Sequence, residues 1–134
     1  MNRRILILLA VCLSAWPQQA APPRKLQVLI ITGRDDHDWR GATPRMRQYL
    51  DAAGIFETRI AEEFRDAGPE SLNGYDVAVL VYSDKAAEDR WTDRSRAVLL
   101  DFVRGGKGLV VYHHSSTAFK DWPEFARMCV LYEL

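Results

Sequence analysis

Unbroken apolar runs mark several segments of this chain. Residues 26–32, 75–82 and 108–112 are rich in aliphatic and β-branched side chains. Runs of this kind are typical of strands that are buried on both faces of a parallel sheet. A weaker run at 56–60 indicates a further strand, and residues 62–72 are expected to be a loop with a short helical turn. The pattern therefore predicts four strands.

Helical spacing of apolar positions appears between these strands. Thr43 can cap a first helix that carries Pro44 in its first turn and continues to about Ala53. Thr92 can cap a second helix, which the glycines at 105–106 end. Strands that alternate with helices favour right-handed crossovers. We therefore predict an α/β fold with a doubly wound parallel sheet and helices on both faces.

The N-terminus has the features of a secretory signal peptide. Arg3-Arg4 precedes an apolar stretch from Ile5 to Trp16, which is too short to span a bilayer comfortably. We therefore expect no stable transmembrane segment. We expect export to the periplasm or the extracellular space. The predicted division of the chain is a signal peptide at 1–21, a linker at 22–25 and one domain at 26–134.

The charge balance excludes one class of partner. Lys plus Arg and Asp plus Glu each number 18 in the 134 residues. Without a basic excess to neutralise a phosphate backbone, binding to nucleic acid is not expected. The balance favours small, neutral ligands or no ligand, and the sequence does not indicate which cofactor, if any, is bound.

All three histidines follow the ends of predicted strands. His37 follows the first strand, and His113 and His114 follow the fourth. Ligands of open parallel sheets bind at the carboxyl ends of the strands, so the pattern predicts a histidine-lined cleft there. His113 is the stronger candidate for a general base or a ligand-orienting group, and a structural role is its alternative; for His37 the two roles are equally favoured. The candidate ligand-binding residues are Asp38, Trp39, Ser83 and Ser115.

A metal site is not predicted. A site for zinc or a similar divalent ion could be assembled from His37, His113 or His114 with Asp35, Asp36 or Asp38, since imidazole and carboxylate together suit such ions. However, adjacent side chains at the end of a strand point to opposite sides of the sheet. His113 and His114 are therefore not expected to share an ion, and His114 is expected to face solvent.

Two further kinds of site are weighed against structural roles. Residues 111–115 lack the Gly-x-Ser-x-Gly and Gly-x-Cys-x-Gly patterns, so serine or cysteine acyl chemistry is not expected, and Ser115 is more typical of a cap. Trp39, Trp91 and Trp122 could form a platform for sugar stacking, but packing against the domain is favoured.

The motifs at 28–33, 37–39 and 43–44, followed by those at 75–80, 102–113 and 118–125, resemble ThuA-like domains. This trehalose-utilisation family belongs to the class I glutamine amidotransferase-like superfamily. The resemblance implies an amidotransferase-like (flavodoxin-like) α/β fold in which His113 takes the place of the nucleophilic cysteine. It thus implies that amidotransferase activity is not expected, and it implies a tendency towards carbohydrate chemistry. His37 and His113 match positions of the family motifs, whereas His114 does not.

The chain departs from this family after Met128. Similar proteins continue there with glycine-rich sequence and further strands, whereas this chain has only residues 129–134. We therefore expect a domain that lacks its C-terminal strands. The expected function is that of an exported, carbohydrate-related protein; whether it is an enzyme stays open. The alternatives are a non-catalytic sugar-binding or interaction module and an inactive fragment.

Overall fold

The computed structural model describes residues 23–129. The predicted signal peptide at 1–21 and the residues after Cys129 lie outside this range. The strands are β1 (Leu26–Ile31), β2 (Phe56–Ala61), β3 (Val77–Leu80) and β4 (Gly108–Val111). The helices are α1 (Trp39–Ala52), α2 (Asp93–Arg104) and α3 (Pro123–Met128), with short 3-10 turns at Pro69–Leu72, Ala87–Asp89 and His113–Thr117.

The four strands form one parallel sheet in the order β2-β1-β3-β4. Chain order reverses between β1 and β3, so their carboxyl ends border the crevice where doubly wound sheets bind ligands. Ile31 pairs with Leu80 at this end of the sheet, and Leu80 pairs with Val111. The segments that follow β1, β3 and β4 therefore start side by side.

Apolar cores lie on both faces of the sheet. On one face, Trp39 packs with Val28, Ile30, Val79 and Val81, and Met46 and Leu50 of α1 cover this cluster. The opposite face carries a larger cluster that joins the sheet to α2 and α3, with Leu29, Leu80, Leu99, Phe119 and Phe125 among its members. The predicted α/β fold with a parallel sheet and helices on both faces is confirmed.

Helix α1 begins earlier than the sequence predicted. Asp38 is its N-cap, because its Oδ1 accepts a hydrogen bond of 2.9 Å from the backbone N–H of Gly41. Thr43 lies inside the helix, where it is buried and its hydroxyl donates to the Trp39 carbonyl at 2.7 Å. Pro44 is also inside. A proline in the second turn removes only one helical hydrogen bond, so the Thr43-Pro44 pair does not start the helix here.

The other predicted elements agree with the structure to within one or two residues at their ends. Thr92 caps α2, since its hydroxyl accepts from the Ser95 N–H at 3.3 Å. The predicted helical turn in the 62–72 loop is the 3-10 turn at Pro69–Leu72. Within residues 23–129 no helix is both long enough and apolar enough to cross a membrane.

Candidate functional site

The imidazoles of His37, His113 and His114 converge at the carboxyl edge of the sheet. The ring centroid of His37 lies 4.9 Å from that of His113 and 5.0 Å from that of His114, and the two consecutive rings are 5.5 Å apart. One ring nitrogen of each residue lies within 4.8 Å of the others. The loop after β1 and the turn after β4 thus place all three histidines of the protein in one group, which we call the histidine cluster.

The backbone of His113 explains how two consecutive histidines reach the same side. His113 has a φ of 49°, in the left-handed region. For a residue that is not glycine this conformation costs about 1–2 kcal/mol. It ends the alternation of side chains along β4 and starts the 3-10 turn His113–Thr117. The expectation that the two side chains point apart was therefore wrong, because it assumed strand geometry up to His114.

His114 is half-buried rather than facing solvent as predicted, and its ring stacks on that of His113. His37 and His113 are exposed. Their rings gain little from apolar burial, so packing alone does not explain why three imidazoles meet. Non-glycine residues in the left-handed region are found preferentially at functional sites.

A buried serine ties this turn to the neighbouring strand. Ser115 has no exposed surface, and its Oγ accepts a hydrogen bond of 2.8 Å from the backbone N–H of Tyr82, just after β3. The hydroxyls of Ser116 and Thr117 donate to the carbonyls of His113 and His114 at 3.0 Å and 2.9 Å. The positions of both histidines after β4 thus depend on hydrogen bonds made by the polar residues that follow them.

The loop after β1 holds His37 through carboxylates on both sides of it. Asp35 Oδ1 accepts a hydrogen bond of 2.9 Å from the His37 N–H. Asp38 caps α1 and is exposed. The residue between a local turn and a helix start has little backbone freedom, so the backbone of His37 is fixed beside the turn that follows β4, while its exposed side chain can rotate.

Asp36 connects the histidine cluster to a cation. Its Oδ2 lies 4.0 Å from His114 Nε2 and pairs with the ammonium of Lys85, which follows β3. The hydrogen bond from Lys85 is the main cause that lowers the pKa of the Asp36 carboxyl, with smaller contributions from Lys85, His114 and His37 charges. The site therefore presents a carboxylate beside three imidazoles.

Two small cavities open beside this group. One, of about 210 Å³, is lined among others by Asp35, Asp36, Trp39, Arg40, Ser83 and Lys85. The second, of about 270 Å³, shares Ser83 and Lys85 with it and extends to Thr117 and Lys120. None of the three histidines lines either cavity; Asp36, which lines the first cavity and lies 4.0 Å from His114 Nε2, is the link between that cavity and the histidine cluster. A larger cavity, of about 720 Å³, lies elsewhere, beside β2 and Phe64.

The four predicted ligand-binding residues have different surroundings. Ser83 is largely buried but lines both small cavities. Trp39 reaches the first cavity while packing in the core, and the Arg40 guanidinium lies 4.1 Å over its ring. Asp38 serves as a helix cap, and the Ser115 hydroxyl is enclosed. Ser83 and Trp39 are therefore at the cavity, whereas Asp38 and Ser115 support the backbone around it.

The remaining two tryptophans considered for sugar stacking, Trp91 and Trp122, are buried in the larger core cluster. Sequence reasoning considered Asp36 and His114 only as ligands of a metal site that it did not predict. The nearness of Asp36 to Lys85 has no signal in the sequence, because these residues lie in different loops. His114 carried a signal, as the third histidine of three, but strand alternation argued against it.

Solved structures with this fold are known. The chain is similar to a ThuA-like protein from Parabacteroides merdae, with 29% identity and a TM-score of 0.67 over 79% of this chain and 38% of that one. It also has the fold of a ThuA-like protein from Bacteroides uniformis, with 20% identity and a TM-score of 0.60 over 84% of this chain and 46% of that one. The chain thus spans less than half the length of either. No family model and no curated protein matches it.

Proposed function

We propose, from the premise that this chain is a ThuA-like protein, that it is exported and acts on a small, neutral carbohydrate-like ligand in a histidine-lined cleft. The observation that carries this proposal is the convergence of His37, His113 and His114 within 4.8 Å, with His113 in a left-handed backbone conformation. The site has no amidotransferase nucleophile.

The chemistry that suits this site is proton transfer. Imidazole is the side chain best fitted to give and take protons near neutral pH. His37 and His113 are exposed and 4.9 Å apart between ring centroids, so a hydroxyl group of a ligand could contact both. His113 is the proposed general base or orienting group, and His37 is the proposed second proton carrier.

Acyl transfer is not proposed. The turn that follows β4 begins with His113, where the resemblance implies a cysteine in amidotransferases. The hydroxyl of Ser115, in the turn after β4, is enclosed and accepts from the Tyr82 N–H. A serine held in this way has no access to a substrate carbonyl.

A polyhydroxylated ligand suits the adjoining cavity. Its lining combines hydrogen-bond acceptors, such as Asp35 and Asp36, with donors, such as Arg40 and Lys85. Convergent donors and acceptors of this kind can orient the hydroxyl groups of a ligand. Because Lys85 pairs with Asp36, the charges in this lining partly cancel, which favours a neutral ligand.

The competing hypothesis of a purely sugar-binding module would use tryptophan platforms. Trp39 and Trp122 are each only 6% exposed, so neither ring offers a free face. The histidine cluster, in contrast, has two exposed imidazoles. The described residues thus favour the histidine site over a stacking platform.

The proposal is tested by calorimetric titration of the full chain with trehalose, glucose and glycerol, the last as a small polyol control. We expect the parent protein to give a heat of binding with a sugar. The affinity should fall at least about 10-fold in His37→Ala and His113→Asn, because a hydrogen bond to an oriented hydroxyl of the ligand is worth about 1.4 kcal/mol. Asparagine tolerates a positive φ, so this variant keeps the turn. Tyr49→Ala, on the exposed surface of α1, is the matched control. Equal affinity in all four proteins would refute the role of the cluster.

The export proposal has its own test. The full chain is produced in a Gram-negative host, and the N-terminus of the protein in the periplasmic fraction is sequenced. We expect a start near residue 22. An intact N-terminus on protein confined to the cytoplasm would contradict the proposal.

A further inference from the structure

The geometry points to a binding site for one divalent transition-metal ion of the zinc class, held by the imidazoles of His37, His113 and His114. The three rings come from two segments that follow different strands, and one nitrogen of each lies within 4.8 Å of the others. This inference goes beyond the proposed function and replaces its proton-transfer roles for His37 and His113, because an imidazole whose lone pair ligates an ion cannot also take up a proton there. Binding of the ion can be measured without a sugar.

The distances are close to those that a bound ion requires. Zinc–imidazole bonds of 2.0–2.1 Å in a tetrahedral site place the ligand nitrogens about 3.3 Å apart. A separation of up to 4.8 Å therefore has to shorten by about 1.5 Å. His37 and His113 are exposed, so rotation about their side-chain bonds can bring the nitrogens together without disturbing the core.

The donor set selects the class of ion. Three neutral imidazoles suit zinc, copper, nickel and iron, whereas magnesium and calcium prefer oxygen ligands. Three protein ligands also leave a coordination position open, as in catalytic zinc sites. In residues 23–129 the hydrogen bonds of these histidines involve their backbone atoms, which leaves the ring nitrogens available for an ion.

Asp36 supplies a compensating negative charge. Its Oδ2 is 4.0 Å from His114 Nε2, too far for a hydrogen bond, so Asp36 would support this ring if His114 ligates the ion through Nδ1. A carboxylate that accepts from the second nitrogen of a ligating imidazole fixes the ring and strengthens its bond to the metal. The pairing of Asp36 with Lys85 keeps this carboxylate at the edge of the cavity.

The backbone gives an independent reason for a site at this place. With strand geometry throughout, His113 and His114 would point to opposite sides of the sheet. The left-handed conformation of His113 and the enclosed hydrogen bond of Ser115 together turn both rings towards His37. An unfavourable backbone conformation that is held by a buried hydrogen bond is a reason to expect function. A bound ion would supply Lewis acidity to an oxygen of a ligand at the histidine cluster.

The inference is tested by titrating Zn²⁺ into the untagged full chain after dialysis against EDTA, followed calorimetrically. The protein carries Cys12→Ser and Cys129→Ser, so that no thiol binds the ion. We expect one ion per chain. We also expect a visible absorption band of tetrahedral or five-coordinate character when Co²⁺ is added instead.

Variants assign the ligands. His37→Ala, His113→Asn and His114→Ala should each weaken Zn²⁺ binding by more than about 100-fold, which exceeds the effect expected for an outer-shell residue, and Asp36→Asn should weaken it by about 10–100-fold. Tyr49→Ala should bind as the parent does. Thermal unfolding of the metal-free variants checks that each is folded. If His113→Asn and His114→Ala do not fold, His37→Ala still tests the inference, because the side chain of His37 is exposed.

Two results would overturn the inference: the absence of Zn²⁺ binding, or binding that persists unchanged in the three histidine variants. The outcome is separable from that of the sugar titration. Sugar binding to the EDTA-dialysed protein without any metal binding would support the proposed function and refute the ion site. Metal binding without any sugar binding would support the ion site and refute the proposed substrate class.

Discussion

Ser115→Ala is expected to destabilise the domain and to loosen the histidine cluster. The substitution removes the Oγ that accepts from the Tyr82 N–H at 2.8 Å, in a position with no exposed surface. A buried N–H that loses its acceptor costs about 1–3 kcal/mol. For a domain of this size such a loss lowers the Tm by about 4–15 °C.

Urea unfolding followed by circular dichroism measures this effect. We expect a lower midpoint with an unchanged slope, which indicates a change in stability rather than in the surface exposed on unfolding. Ser116→Ala, in the same turn, is the matched control, because its hydroxyl bonds the His113 carbonyl at a solvent-accessible position. This control should change the free energy of unfolding by no more than about 0.5 kcal/mol. Equal effects of the two substitutions would refute the role of the buried hydrogen bond.

Two further predictions concern the scaffold. Gly33→Ala should lower the free energy of unfolding by more than about 2 kcal/mol, since Gly33 has a φ of +112° and an added Cβ would lie 1.9 Å from the Glu62 carbonyl oxygen. Gly54→Ala should lower it by about 1 kcal/mol, because Gly54 has a φ of +76° but an added Cβ would have no atom within 4 Å. Equal urea midpoints for the two variants would contradict this. Asp76→Asn should make the protein less sensitive to acid. Arg24, the Gln27 N–H and Lys107 lower the pKa of Asp76, so its contribution is present above the unfolded value near 3.9 and is lost as the pH falls through that value towards the folded one. The difference in midpoint between parent and variant should therefore shrink between pH 6 and pH 2, and a difference that stays constant would count against the ion pairs.

The sheet could be predicted from the sequence because its strands are buried on both faces. Val28 to Ile31 and Ala78 to Leu80 are almost completely enclosed, and such strands show as unbroken apolar runs. The start of α1 could not be predicted in the same way. Asp38 and Thr43 are both good caps by residue type, and the choice between them depends on where Trp39 packs, which is a tertiary contact.

Only part of the site could be predicted from the sequence. The positions of His37 and His113 after strand ends predicted that they would meet at one edge of the sheet. The place of His114 could not be inferred, because it follows from the sign of φ at His113. That sign is held by the contact between Ser115 and Tyr82, residues 33 positions apart. Alternation rules describe a strand well but do not locate the residue at which it ends.

The central claim is that the three histidines form one site. Because the sequence contains only three histidines, the nitrogen NMR spectrum of the imidazoles in the untagged protein reports this site alone. We would record long-range ¹H–¹⁵N spectra while adding Zn²⁺, and then trehalose. The account predicts that the signals of all three imidazoles change together with the first equivalent of Zn²⁺. Signals that stay unchanged, or a change confined to one histidine, would contradict it.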